Sequence, residues 1–276
     1  MISLHPGFRP YQGLRDELLG LPQARWVERC NRLASERGLC SATGAALRFF
    51  IDDNPAGALD YEAAILHEGR IACRPGGRGA LHDLHNALTW LTFPSVKATL
   101  NRLHLACSDR RLASGRGPLR DAVTLLDENG LLWMSDSDEL NRQLEDKDWQ
   151  TLLLSNRERI RREVMPVIIG HGLLEKLGNP YKSMTAHCLI CGTGRATDQP
   201  ADQPADDPPP ECAATDARFA GAIADAFDST MPPRLAPLPI LGLPGWDPAN
   251  SDRSYYDDAR VFRASKARPA RPGPSS

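Results

Sequence analysis

The residues best suited to chemistry are histidines standing in polar company. His82, Asp83 and Asn86 fall within Leu81–Thr92, with His85 between them; Lys97, Asn101 and His104 follow at i, i+4 and i+7. His171 precedes Glu175 by four residues, and Tyr181, Lys182, Thr185 and His187 come soon after. Imidazole nitrogens and carboxylate oxygens are the donors of hydrolytic chemistry. Three imidazoles and a carboxylate can hold a divalent metal that makes its bound water more acidic, and without metal a His171–Glu175 pair can act as a general base. The expected catalytic set is therefore His82, Asp83, His171, Glu175 and His187, with His82, His104, His171 and His187 as metal ligands. Asn86, Lys97, Asn101, Arg120 and Lys182 are the expected donors toward a phosphate or carboxylate of a small ligand. The competing reading is a binding or scaffold protein in which the same groups form a buried hydrogen-bond network.

These side chains need elements to hold them. Leu81, Leu84, Leu88 and Leu91 recur on one helical face, so Leu81–Thr92 is predicted as a helix with that face in the core and His82, Asn86 and Thr89 or Trp90 on another strip; Phe93-Pro94 ends it. Ser95 is the expected cap of a second helix, Val96–Cys107. Asn129-Gly130 predicts a type I′ turn, making Arg120–Met134 a hairpin with Arg120 and Asp121 at its open end. Asp136–Leu154 reads as helical with a break near Asp146-Lys147-Asp148, and Asn156–Glu163 as a charged face or elbow. Val164–Ile169 reads as a strand, Gly170–Gly178 as a short helix and Ser183–Ile190 as a strand that points Thr185 and His187 to one side. Nearer the N-terminus, Leu14–Arg37 is helical with a break at Pro22, Leu47–Ile51 is a strand, Tyr61–Glu68 a helix or strand, and Gly69–Gly79 a flexible Gly/Arg lid.

Composition bounds the rest. The 276 residues carry 33 basic and 35 acidic side chains, a net charge of −2, so no global field favours nucleic acid or an anionic membrane. Arg157, Arg159, Arg161 and Arg162 could form a local basic patch, diluted by Glu158 and Glu163; nucleic acid is not the expected partner. No apolar run approaches the roughly 18 residues that span a bilayer, and Met1–Pro6 lacks the start of a secretory signal. A soluble, cytoplasmic protein is expected. The seven cysteines are scattered; Cys188 and Cys191 form the one close pair, expected as buried thiols rather than a redox or zinc motif.

Fourteen of the 23 prolines lie from Pro200 onward, and Thr197–Pro210 is an acidic low-complexity tract. The expected organisation is a main α+β domain over 1–195, a flexible acidic Pro-rich insertion over 196–215, a C-terminal helix and extended arm packing on the main domain over 216–262, and a disordered tail over 263–276. The expected fold class is α+β, a single mostly helical domain with a small antiparallel sheet.

Four blocks together resemble a known family. They are His82-Asp83-x-x-Asn86 through Trp90, Phe93-Pro94, Lys97, Asn101 and His104; Arg120-Asp121 through Thr124, Asp127-Glu128 and Gly130; Gly170-His171 through Glu175-Lys176, Pro180-Tyr181-Lys182 and Thr185-Ala186-His187; and Leu238-Pro239 through Pro244-Gly245-Trp246 with Tyr256-Asp257-Asp258. In this order they resemble the bacterial domain of unknown function numbered three thousand and twenty-five. The resemblance runs from near the N-terminus to about Phe262 and implies one domain with the acidic tract inserted. That family usually carries an aromatic where Leu81 and His85 stand here, which sets His85 apart from the other histidines. It implies no reaction, substrate or cofactor.

Overall fold

The computed structural model describes residues 5–54, 57–109, 117–193, 212–229 and 231–263. The expected insertion falls almost wholly outside them, and so does the tail beyond Arg263. The described chain is a mostly helical α+β fold around one continuous hydrophobic core that runs from Phe8 to Phe262. Among the described residues no helix is long and apolar enough to cross a membrane.

The N-terminal helices α1 (Gln12–Leu18) and α2 (Gln23–Glu36) separate at Pro22, as the sequence predicts. Strand β1 (Arg48–Ile51) follows, then α3 (Ala58–Glu68), which resolves the helix-or-strand ambiguity as helix. The expected Gly/Arg lid is instead built into the fold. Gly69, at φ 69°, closes α3 in the left-handed region, and Arg70–Cys73 forms β2, parallel to β1 with Arg48 opposite Arg70. Ile71 and Cys73 alternate into the core, an inward period-two pattern that the flanking glycines concealed.

Helix α4 (Gly77–Thr92) is the centre of the molecule, and every residue from Asp83 to Thr92 is buried. It packs on α2, β2, α5 (Pro94–Asp109) and the short helix over residues 171–176. Leu84, Leu88 and Leu91 face the core as predicted, whereas Leu81, exposed in the second turn, does not. Pro94 is the first residue of α5, so Ser95 lies inside the helix and cannot cap it. Asp216 takes that role from far along the chain: its carboxylate accepts from the Ser95 and Val96 amides at 2.7 and 3.1 Å.

The predicted hairpin is overturned. Pro118–Asn129 is helix α6, with Pro118 in the first turn, where its missing N–H costs nothing. Ala122, Val123 and Leu126 form its buried stripe. Neither Asn129 nor Gly130 takes the positive φ that a type I′ turn needs. Gly130 is required for close approach: a Cβ there would lie 2.0 Å from the Leu126 carbonyl oxygen. It opens strand β3 (Gly130–Met134), buried along its whole length.

Helix α7 (Asp138–Asp146) ends at Lys147 in the left-handed region, matching the predicted break, and a π-helical stretch (Gln150–Ser155) leads to α8 (Arg157–Glu163). The α8 arginines are held within the chain. Arg157 binds Asn250 and the Tyr256 hydroxyl, Arg159 pairs with Glu139 and Glu163, and Arg161 pairs with Glu158. Then come β4 (Met165–Ile168), α9 (His171–Lys176), β5 (Thr185–Cys191), α10 (Cys212–Ala226) and β6 (Ala236–Pro239). The four-stranded sheet has the order β4-β3-β5-β6. Its β3–β4 and β5–β6 ladders are antiparallel, and its central β3–β5 ladder is parallel, so the sheet is mixed. The C-terminal arm supplies an edge strand, where Pro237 and Pro239 are tolerated because one side needs no ladder hydrogen bond. Cys188 and Cys191 are buried in β5; burial pushes both thiols up, Cys191 to about 11.

Candidate functional site

A cleft of about 510 Å³ opens between α3, the β1–β2 pair and the inner faces of α4, α5, α6 and α9. Two imidazoles meet in it. His82 projects from the second turn of α4 and His171 opens α9; their Nε2 atoms are 3.0 Å apart and their rings cross edge-to-face. Oε1 of Glu128, from the last turn of α6, lies 3.9 Å from His82 Nε2 and 3.6 Å from His171 Nε2. One ligand atom from each of these residues can be chosen so that all lie within 4.8 Å of one another.

A different carboxylate lies on the far side of each imidazole, hydrogen-bonded to His82 and only near His171, whose buried Nδ1 has no hydrogen-bond partner. His82 Nδ1 donates to Glu175 Oε2 at 2.8 Å, which selects the Nδ1–H tautomer of the neutral ring and turns Nε2 toward the cleft. Glu175 thus orients His82 rather than the His171 four residues before it, because the short α9 is turned so that both His171 and Glu175 address α4. Asp127 Oδ1 stands 3.7 Å from His171 Nδ1, an electrostatic neighbour beyond hydrogen-bond reach. Asp127 also accepts from Lys97 Nζ at 2.5 Å and lies 3.7 Å from His104 Nε2. Burial alone would push the Asp127 carboxyl up, but the Lys97 ammonium, His171 and His104 together hold it well below the usual carboxylate range.

A second strip of polar residues continues along the cleft. Asn101 Nδ2 donates to the Glu62 carbonyl at 2.9 Å and to Glu62 Oε2 at 2.6 Å. Asn86 Nδ2 donates to the Tyr61 hydroxyl at 3.0 Å. Asp83 is occupied structurally: it takes the Arg74 amide at 2.5 Å and grips the Arg74 guanidinium at 2.7 and 3.1 Å. The apolar walls include Phe50, Trp90 and Ile65.

The structure therefore brings together His82, His171, Glu175, Asp83, Asn86, Lys97 and Asn101, with His104 behind Asp127. It does not bring in His187, Arg120 or Lys182. His187 is half-buried on β5 opposite Gly130 and Pro237, where burial and then Lys176 lower its pKa, and it does not line the cleft. Lys182 lies 3.6 Å from Asp258 and over the Tyr255 ring, and Arg120 sits in the first turn of α6. His104 is outside the group of converging ligand atoms, and the expected four-histidine set becomes His82, His171 and Glu128. His85 is buried, with Nδ1 turned back to the Leu81 carbonyl. Sequence reasoning missed Glu128, Asp127 and Glu62. The signal for the first two was Pro118, which marks a helix start and puts Asp127 and Glu128 in that helix's last turn.

No curated protein and no solved structure matches the chain. Residues 47–266 do match a protein family, and this span contains every residue of the cleft. The chain thus belongs to the family described as Protein of unknown function (DUF3025).

Proposed function

We propose that this protein is a metal-dependent hydrolase whose single divalent ion is held by His82 Nε2, His171 Nε2 and Glu128. The observation that carries this reading is the 3.0 Å approach of two Nε2 atoms with Glu128 Oε1 beside both. That contact is satisfied either by one proton on His171 Nε2 or by a cation between the rings, and the Glu128 carboxylate beside both nitrogens favours the cation. An ion about 2.1 Å from both nitrogens would subtend about 90° there, within the range of five- or six-coordinate ions. Two imidazoles and one carboxylate are a donor set of catalytic zinc, with positions left for water and substrate. When bound, such an ion acidifies its water and polarises the bond to be cut. Glu175 would orient His82, and Lys97 would keep Asp127 ionised as a negative charge behind His171.

The test is elemental analysis of protein purified without a metal-affinity tag. About one equivalent of zinc, manganese, iron or nickel per chain is expected in the wild type, and its loss in His82→Ala and His171→Ala. A metal content well below one equivalent, with no uptake on dialysis against the ion, would refute the proposal. The cluster would then be a hydrogen-bonded His82–His171 contact, as the binding or scaffold reading requires.

A further inference from the structure

The hydrogen-bonding capacity left over in the cleft is of one kind. All three lining cations are already engaged: Arg74 with Asp83, Lys97 with Asp127, and Arg70 with Glu68 while stacked on Phe50. Five carboxylates line the same space, so the fixed charge of the lining is negative by two with its histidines neutral. Asp83, Asp127 and Glu128 face cations or imidazoles within the chain. Among the described residues Glu62 is in no ion pair: its carboxylate accepts from Asn101, and His104 and Lys97 act on it through their charge alone. Beside it are two buried acceptors without a donor. Asn101 is 3% exposed and Asn86 8% exposed, and the Oδ1 atom of each accepts no hydrogen bond. A buried, unsatisfied acceptor carries a desolvation cost that a bound donor removes.

We propose that the Glu62–Asn101 end of the cleft receives the protonated amino group of a small ligand. The ammonium would donate to the Glu62 carboxylate and to Asn101 Oδ1, in the cleft that Tyr61 and Trp90 also line. The chain already places one ammonium against that wall, since Lys97 Nζ lies 5.8 Å from the Trp90 ring centroid. The groups facing Glu62 fit this. Burial pushes its carboxyl up, His104, Asn101 and Lys97 pull it down, and Asp127 pushes it up again. A cation seated there compensates a buried charge that lacks a direct partner. In terms of the proposed hydrolase, the substrate is an amine-bearing compound rather than a phosphate. This rests on the cleft being the substrate site, but the amine pocket and the metal centre use different side chains and can fail separately.

The experiment is calorimetric titration of the full chain with n-butylammonium chloride, potassium phosphate and n-butanol, on protein stripped of metal with EDTA and on zinc-treated protein. Saturable binding of butylammonium is expected in both preparations, at least tenfold weaker in Glu62→Gln, with no binding of phosphate to the stripped protein. In wild-type protein the side-chain amide NMR signals of Asn101 should shift with butylammonium and not with butanol, a readout that needs no variant to fold. Absence of amine binding, equal binding by Glu62→Gln, or preferential binding of phosphate by the stripped protein would overturn the proposal. Amine binding in a protein that takes up no zinc would sink the metal reading alone.

Discussion

Replacing Asp216 by alanine should cost the fold about 2 kcal/mol. The residue that would normally cap α5 is Phe93: its carbonyl accepts the Lys97 amide, but its ring offers no acceptor to the amides ahead. Ser95 and Val96 rely on the Asp216 carboxylate at 2.7 and 3.1 Å. Losing a capping side chain costs about 0.5–2 kcal/mol, and a buried donor left unpaired costs about 1–3 kcal/mol. Both figures describe the same event and are not additive; Val96 is fully buried, so the upper half of the first range applies. For a chain of this size about 2 kcal/mol corresponds to a fall in Tm of about 4–8 °C. The pH dependence has a defined sign. Burial pushes the Asp216 carboxyl up, with the hydrogen bonds from Ser95 and Val96 pulling it partly back. A carboxyl raised above its unfolded value contributes stability that is present in full below the unfolded pKa and is lost as pH rises through the folded one. Circular-dichroism melts of wild type and Asp216→Ala between about pH 4, near the unfolded value, and pH 7 should show a gap that narrows with rising pH. Asp216→Asn, which keeps one acceptor oxygen, should fall between the two. A variant melting within about 1 °C of wild type would refute the capping argument, and a gap that widens with pH would overturn the dominance of burial over the amide hydrogen bonds at Asp216.

Three further outcomes follow from the site. Glu175→Gln should weaken metal binding by about 10–100-fold by competition titration, because the amide no longer fixes the His82 tautomer, while the melting curve changes little. Gly172→Ala would place a Cβ 2.5 Å from Glu128 Oε2 and 3.0 Å from the Glu128 carbonyl oxygen, so it should push that carboxylate aside and lower metal content without unfolding the chain. Gly170→Ala meets backbone instead, 2.3 Å from the Gly130 nitrogen, and is expected to destabilise the fold severely, seen as a large loss of Tm or of recoverable protein.

The parts of the fold legible in the sequence were those with a strong period and clear punctuation. Leu84, Leu88 and Leu91 with Phe93-Pro94 defined α4, and the apolar alternation of β5 was equally plain. His82 and His171 were both candidates by residue chemistry and lie together across 89 residues, but Glu175, expected to serve His171 four residues before it, meets His82 instead. The hairpin failed because Asn-Gly is a local signal, and here a tertiary contact decided. Gly130 is conformationally ordinary and needed only for its missing side chain, which lets β3 start hard against the Leu126 carbonyl of α6. That error hid Asp127 and Glu128, since strand alternation would have sent them to opposite sides. His187 misled for the reverse reason: its neighbours in sequence were polar, but strand direction carried it to a face remote from α4. The C-terminal cap could not be read at all, because nothing local marks a carboxylate whose partners lie 120 residues earlier.

The order in which these pieces leave the ribosome is itself constrained. The three candidate ligands are all synthesised by residue 171, whereas the carboxylate that secures α5 and the outer strand beside β5 come only after residue 211. A nascent chain halted before that point holds every ligand but has an unsealed helix end and an open sheet margin, and closing contacts of such long separation is slow. Competence to hold the proposed ion should therefore arrive with the last quarter of translation, not when the final candidate ligand emerges.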